Sequence, residues 1–234
     1  MKQELLQTVA AGRAREAQLA QQCDDSPADP GGRWSAKDHL VHLSSWRDYA
    51  ASLLDAVRTG TTDRLPPLEE EDATNAKVYA ANKDRSAADI VREAEASWDR
   101  LEAAIRECSE DDLTAPHPRS PEAQVWQTVP GNGHGHVAQH LMFRHLDAGD
   151  MNGAEEVQIW CHDVDFKAFA DAKPRAFADY NLACFYARIG REEMAANLLR
   201  QSFEGAPGLK ALAGRDPDLD PIRESKPIQE LLAG

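Results

Sequence analysis

Disulfide chemistry has little material in this sequence. Cysteine occurs four times in 234 residues, at Cys23, Cys108, Cys161 and Cys184, and never as a CxxC pair. That argues against a disulfide frame or a zinc knuckle, and the four read as reduced thiols, with Cys161 and Cys184 expected in the core. Basic charge is short as well: 26 Lys and Arg face 40 Asp and Glu, for a net charge of -14. A nucleic-acid binder needs a basic face to displace counterions, and no Lys/Arg cluster stands out here. The same charge argues against docking on an anionic membrane surface. No apolar run reaches the roughly 18 residues that a membrane helix requires. The N-terminal stretch "MKQELLQTVAAGRAREAQLAQQ" lacks the apolar segment of a signal peptide, so the expected location is cytoplasmic. Long alternating runs of Val, Ile and Thr are missing too, while Ala, Leu, Glu and Arg dominate, which predicts an all-α protein.

What is present is helical periodicity with clear punctuation. A first helix is predicted over 2–22, with Leu5, Leu6, Val9 and Leu19 inward. The Pro-, Gly- and Asp-rich "DDSPADPGGRW" breaks it. A second helix starts at Ser35, an N-cap with Asp38 three residues on, and ends at Gly60. Its stripe is Leu40, Leu43, Trp46, Tyr49, Ala50, Leu53, Leu54 and Val57. A long acidic connection follows, with a short helical piece near Asn75 to Ala81. The run Glu69 to Asp72 within it reads as a solvated face. A third helix runs from Ser86 to about Glu107, with Ile90, Ala94, Trp98, Leu101 and Ile105 inward. The four-proline stretch "TAPHPRSPEAQVWQTVPGNG" reads as loop, and a fourth helix spans about His134 to Ala148, stopped by Gly149. Four such helices with one long crossover predict a four-helix bundle over residues 1–150. Residues 151–234 change texture into shorter helical segments, of which 176–207 has the length and helix-turn-helix form of one tetratricopeptide unit.

Histidine carries the chemical signal. "GNGHGHVAQHLMFRH" holds four of the eight histidines. His136 and His140 are four apart and share a helix face that continues to Phe143. His134 lies at the helix start, and His145 is turned roughly 140° from His140 at ~100° per residue, so neither joins the pair. Val137 follows His136 where a HExxH metalloprotease would carry Glu. In the second helix His42 lies on the stripe with Trp46 and Tyr49, and His39 precedes it by three. Three imidazoles from two facing helices make a facial three-nitrogen set with open positions, the form of a catalytic metal site. Zinc, nickel and ferrous iron all suit such a set. A metal-free polar pocket with acid–base chemistry stays open beside it. Trp34, Trp98 and Trp126 read as core or loop anchors. Trp46, Tyr49 and the loop around Asn132 are expected to line the site's mouth. Asp38 and Gln139 lie near it in sequence, although Gln cannot act as a base.

These residues also carry a resemblance. "KDHLVHLSSW" and "VPGNGHGHVAQH" resemble the two histidine blocks of the DinB-like superfamily, D-x-L-x-H-L-x-x-W and G-N-x-x-x-H-x-x-x-H. "DATNAKVYAANKDRSAADIVREAEASWDRL" is similar to the intervening region of its ClbS/DfsB-type branch. The resemblance covers roughly residues 1–150 and implies a metal-ligand triad at His42, His136 and His140. His39 stands where the pattern is usually apolar. The implied function is metal-dependent activation of water or a low-molecular-weight thiol against an electrophilic small molecule, as hydrolase or S-transferase. A homodimer is implied as well. "YNLACFYARIG" and "DPDLDPIRESKPIQELL" resemble a tetratricopeptide-like repeat, which implies recruitment of a protein partner. A different class of function follows if that module does the work and the bundle is a non-catalytic, stress-associated scaffold.

Overall fold

The computed structural model describes residues 1–26, 33–67 and 71–233, and among these nearly all regular structure is helical. The centre of the breaker loop and Glu69 and Glu70 of the acidic run lie outside the described residues.

Helix α1 covers Lys2–Ala20 and buries Leu5, Val9 and Leu19. It stops two residues earlier than the periodicity predicted. Helix α2 covers Ala36–Thr59. The Ser35 side chain accepts from the Asp38 backbone, and the Asp38 carboxylate accepts from the Ser35 backbone, so the expected capping box forms. Gly60 closes α2 at φ 67, a left-handed conformation that suits glycine. A short α3, Glu71–Asn82, packs on α2. Helix α4, Ala87–Glu107, has Ser86 as its N-cap and lays Ile90, Trp98, Leu101 and Ile105 against α2 and α1. Each fully buried Leu or Ile of these stripes contributes about 1.5–3 kcal/mol relative to exposure.

The proline-rich stretch is more ordered than the sequence predicted. It forms α5 (Glu110–Thr114), an antiparallel hairpin of β1 (Pro116–His117) and β2 (Ser120–Gln124), and α6 (Thr128–Asn132). The strands are too short and too exposed to show an alternating pattern. Leu113, Val125, Trp126 and Val129 hold the stretch by burial. Helix α7, His134–Asp147, begins directly after α6 and supplies the fourth helix of the bundle.

The described residues fall into two compact units, Met1–His140 and Leu141–Gly234. The second half of α7 goes with the second: Met142, Phe143 and Leu146 belong to the hydrophobic cluster of that unit. That unit continues with α8 (Met151–Ala168), α9 (Ala172–Arg188), α10 (Glu192–Gly205), α11 (Leu209–Ala213) and α12 (Lys226–Ala233). Helices α9 and α10 pack closely because Ala183, Ala187, Ala195 and Ala196 are buried at their contact and Gly190, φ 72, turns the chain between them. Leu209, Leu219, Ile222 and Ile228 complete the cluster. Cys184 is buried in it as expected, but Cys161 is only half-buried.

Candidate metal centre

Helix α2 presents His39 and His42, and α7 presents His136 and His140, all within the first unit. The four rings meet. His42 Nε2 lies 3.0 Å from His136 Nε2, and His140 Nε2 lies 3.2 Å from the same atom. His140 turns its other nitrogen to His39, Nδ1 to Nδ1 at 2.8 Å. One ring nitrogen from each of His42, His136 and His140 lies within 4.8 Å of the others. His134 is buried at the start of α7, against Gly12 of α1, and is not in this group. His145 Nδ1 pairs with Asp150 instead, at 2.8 Å.

This donor set fits a divalent cation. Tetrahedral Zn–N bonds of about 2.0–2.1 Å place neighbouring ligand nitrogens about 3.3 Å apart, close to the 3.0 and 3.2 Å observed. Protons alone satisfy the group poorly. His136 Nε2 offers one lone pair or one N–H and faces two other nitrogens. Burial also pushes the rings toward the neutral form that a metal requires. His42 is lowered to about 4 by desolvation, with Asn75 opposing. His136 is lowered to about 3 by desolvation, helped by the neighbouring His42 and Arg47. His140 is lowered further, again mainly by burial and then by His136, His39 and His42. The Nδ1 atoms of His42 and His136 are buried without a hydrogen-bond partner.

Around the rings the structure corrects several expectations. Trp34 is no remote anchor: it stacks on His140 at 5.7 Å and 18° and meets His39 at 5.4 Å and His42 at 5.1 Å. It remains 40% exposed, so it roofs the group with one face toward solvent. Its place just after a Gly-rich loop gave no periodic signal. Trp98 and Trp126 are buried anchors, as expected. Trp46 adjoins His42, at 6.2 Å between ring centres, and donates to Asn75 Oδ1. Tyr49 follows Trp46 and its hydroxyl accepts from Arg119. Asn132 does not face the rings through its amide nitrogen, which bonds back to Thr128 in its own helix. Asp38 lines the adjoining cleft, but its Oδ2 caps Ser35, and Gln139 is exposed. Neither presents itself as a general base.

A small, open cleft lies beside His42, between α2 and α3. Trp34, Val41, Val78 and Tyr79 give it apolar surface, and Asn75 and Lys83 give it polar groups. A buried ion pair that the sequence pattern does not reveal is anchored on the same helix as His42. Arg47 reaches Glu16 through two bonds of 2.6 and 2.9 Å, donates to Ser97, and lies 4.1 Å over the Trp98 ring. Burial pushes the Glu16 carboxyl up and the Arg47 guanidinium down, and their mutual contact opposes both shifts. The two residues are 31 apart, beyond any helical spacing.

A second group in the other unit, Cys184, Asp216 and Asp218, is occupied by structural bonds. Asp216 accepts from Tyr180 Oη at 2.8 Å and from the Asp218 backbone at 3.0 Å, while Asp218 pairs with Arg188. Burial holds the Cys184 thiol well above its usual range, in the protonated form that ligates poorly.

The family model of the DinB superfamily matches residues 3–147. No curated protein and no solved structure matches the chain.

Proposed function

The chain belongs to the DinB superfamily, and from that premise we propose that it is an enzyme in which His42, His136 and His140 hold a divalent metal. The observation that carries this reading is the convergence of three buried ring nitrogens, two contacts being 3.0 and 3.2 Å, beside an open cleft. Zinc is the first choice for three imidazoles, with nickel and ferrous iron as alternatives. When bound, the metal would supply Lewis acidity that lowers the pKa of a coordinated water or low-molecular-weight thiol.

The protein's own part is positioning. Helices α2 and α7 fix the donor rings, and burial keeps those rings neutral. Trp34 and Trp46 shield them, so a charge at the site is poorly screened. The cleft between α2 and α3 would hold an electrophilic small molecule against His42, with Lys83 offering a positive rim. Water as nucleophile gives a hydrolase and thiol gives an S-transferase. The similarity of residues 72–101 to the ClbS/DfsB-type branch, with a helix that starts at Ser86, favours placement in that branch.

The test is a panel of electrophiles, with and without low-molecular-weight thiols, given to metal-loaded wild type and to a His136→Ala/His140→Ala variant. Turnover by the wild type that the variant loses is expected. A metal-loaded wild type that turns over no electrophile in either condition contradicts the reading.

A second reading concerns residues 141–234. The α9–α10 helix pair and the exposed apolar side chains Ile159, Met194 and Leu212 favour a tetratricopeptide-like module that recruits a protein partner or a second copy of the chain. Light scattering of the purified chain separates a homodimer from a monomer that needs another partner.

A further inference from the structure

We propose that His39 is a positioning residue: it accepts the Nδ1 proton of His140, which turns the Nε2 lone pair of His140 toward His42 and His136. The effect on metal affinity rests on the metal reading above, but the effect on the His140 ring does not.

The geometry leaves one proton for two atoms. His39 Nδ1 and His140 Nδ1 are 2.8 Å apart, a hydrogen-bond distance, so one of them donates and the other accepts. A neutral imidazole carries a single proton, and the bond made by one nitrogen decides the state of the other. If His140 donates from Nδ1, its Nε2 is a lone pair, and that is the atom 3.2 Å from His136 Nε2. If His39 donates instead, His140 carries its proton on Nε2, aimed into the group, and cannot ligate there.

His140 holds its partner at 2.8 Å through Nδ1, whereas the neighbour that bonds the His42 side chain is Asn75. The Nδ1 atom of His136 is buried with no hydrogen-bond partner. Metal-bound histidines ordinarily donate their second N–H to a fixed acceptor, which sets tautomer and ring angle. His39 offers such an acceptor from the same rigid helix that carries His42, one turn away. Its ring is buried, meets His140 edge to face at 74°, and packs under Trp34, so little freedom remains to break the bond. An apolar residue at position 39 would leave the His140 Nδ1 without this acceptor.

The experiment uses the full-length protein, ¹⁵N-labelled at histidine, as wild type, His39→Leu and His39→Asn. Asparagine keeps an acceptor near the Nδ1 position, and leucine removes it. Tautomers are read by NMR in the metal-free proteins, and zinc affinity is read by chelator competition. The wild type should show His140 protonated on Nδ1. His39→Leu should give mixed tautomers and lose about 10- to 100-fold in zinc affinity, and His39→Asn should recover most of both. A wild-type His140 protonated on Nε2 would overturn the proposal, as would a His39→Leu protein with unchanged tautomer and affinity. If His39→Leu fails to fold, the wild-type tautomer and the His39→Asn affinity decide. A wild type that binds no zinc contradicts the metal reading, while the His140 tautomer still tests His39.

Discussion

At the scale of single residues, burial keeps the imidazoles of the histidine group uncharged. His42 and His136 are lowered to about 4 and about 3 from an ordinary 6.5. The folded chain therefore binds fewer protons than the unfolded one between those values. Stability from these groups is complete above about pH 6.5 and is lost as pH falls through the folded values. The melting temperature of the metal-free protein should drop from about pH 7 to pH 4, and the drop should shrink in a His42→Ala/His136→Ala/His140→Ala variant. Equal slopes for the two proteins would remove the histidines as its cause. The buried ion pair gives a second prediction. Arg47→Ala strands the Glu16 carboxylate in the core and should cost about 3–5 kcal/mol in urea unfolding, while replacing Arg47 and Glu16 together by Met and Leu should cost much less. The triad was legible in the sequence because i, i+4 spacing and a helical stripe are local patterns. Trp34 and the Glu16–Arg47 pair were not legible, because a loop residue and a contact across 31 positions leave no periodic trace.

At the scale of elements, caps and close approaches set where the histidines sit. Ser35, Gly60 and Ser86 were readable as helix boundaries since capping chemistry involves only neighbours in sequence. Ser35→Ala should lower stability by about 1 kcal/mol, measured by the same unfolding assay, and slightly loosen the first turn that carries His39. Gly12 shows the opposite case. A Cβ there would meet Trp98 Cη2 at 2.8 Å and the His134 backbone at 3.0 Å, so α1 approaches α4 and the start of α7 only because position 12 is glycine. Gly12→Ala should cost about 1–3 kcal/mol by overpacking and, on the proposed metal reading, weaken cation binding by displacing the start of α7. Stability like that of the wild type would show that the helices yield without cost. Nothing in the sequence distinguished Gly12 from any other mid-helix glycine. The hairpin at 116–124 was missed for a related reason: its strands are held by burial of Val125 and Trp126 beside them rather than by a pattern of their own.

At the scale of the whole molecule, the bundle places its chemistry at one end of α2 and the start of α7, and a helical unit follows. The expected all-α architecture is what the structure shows, and the order of the bundle helices could be read from stripes and breakers. The second half of α7 packs with the helices that follow it, a contact that leaves no mark on the helix's own periodicity. The function proposed here depends on the three-histidine group being a metal site. The most direct measurement is elemental analysis of the purified, untagged protein beside the His136→Ala/His140→Ala variant. About one equivalent of zinc, nickel or iron per chain is expected in the wild type and none in the variant, with both proteins folded by circular dichroism. No metal in the wild type, even after incubation with each ion, would contradict the metal reading.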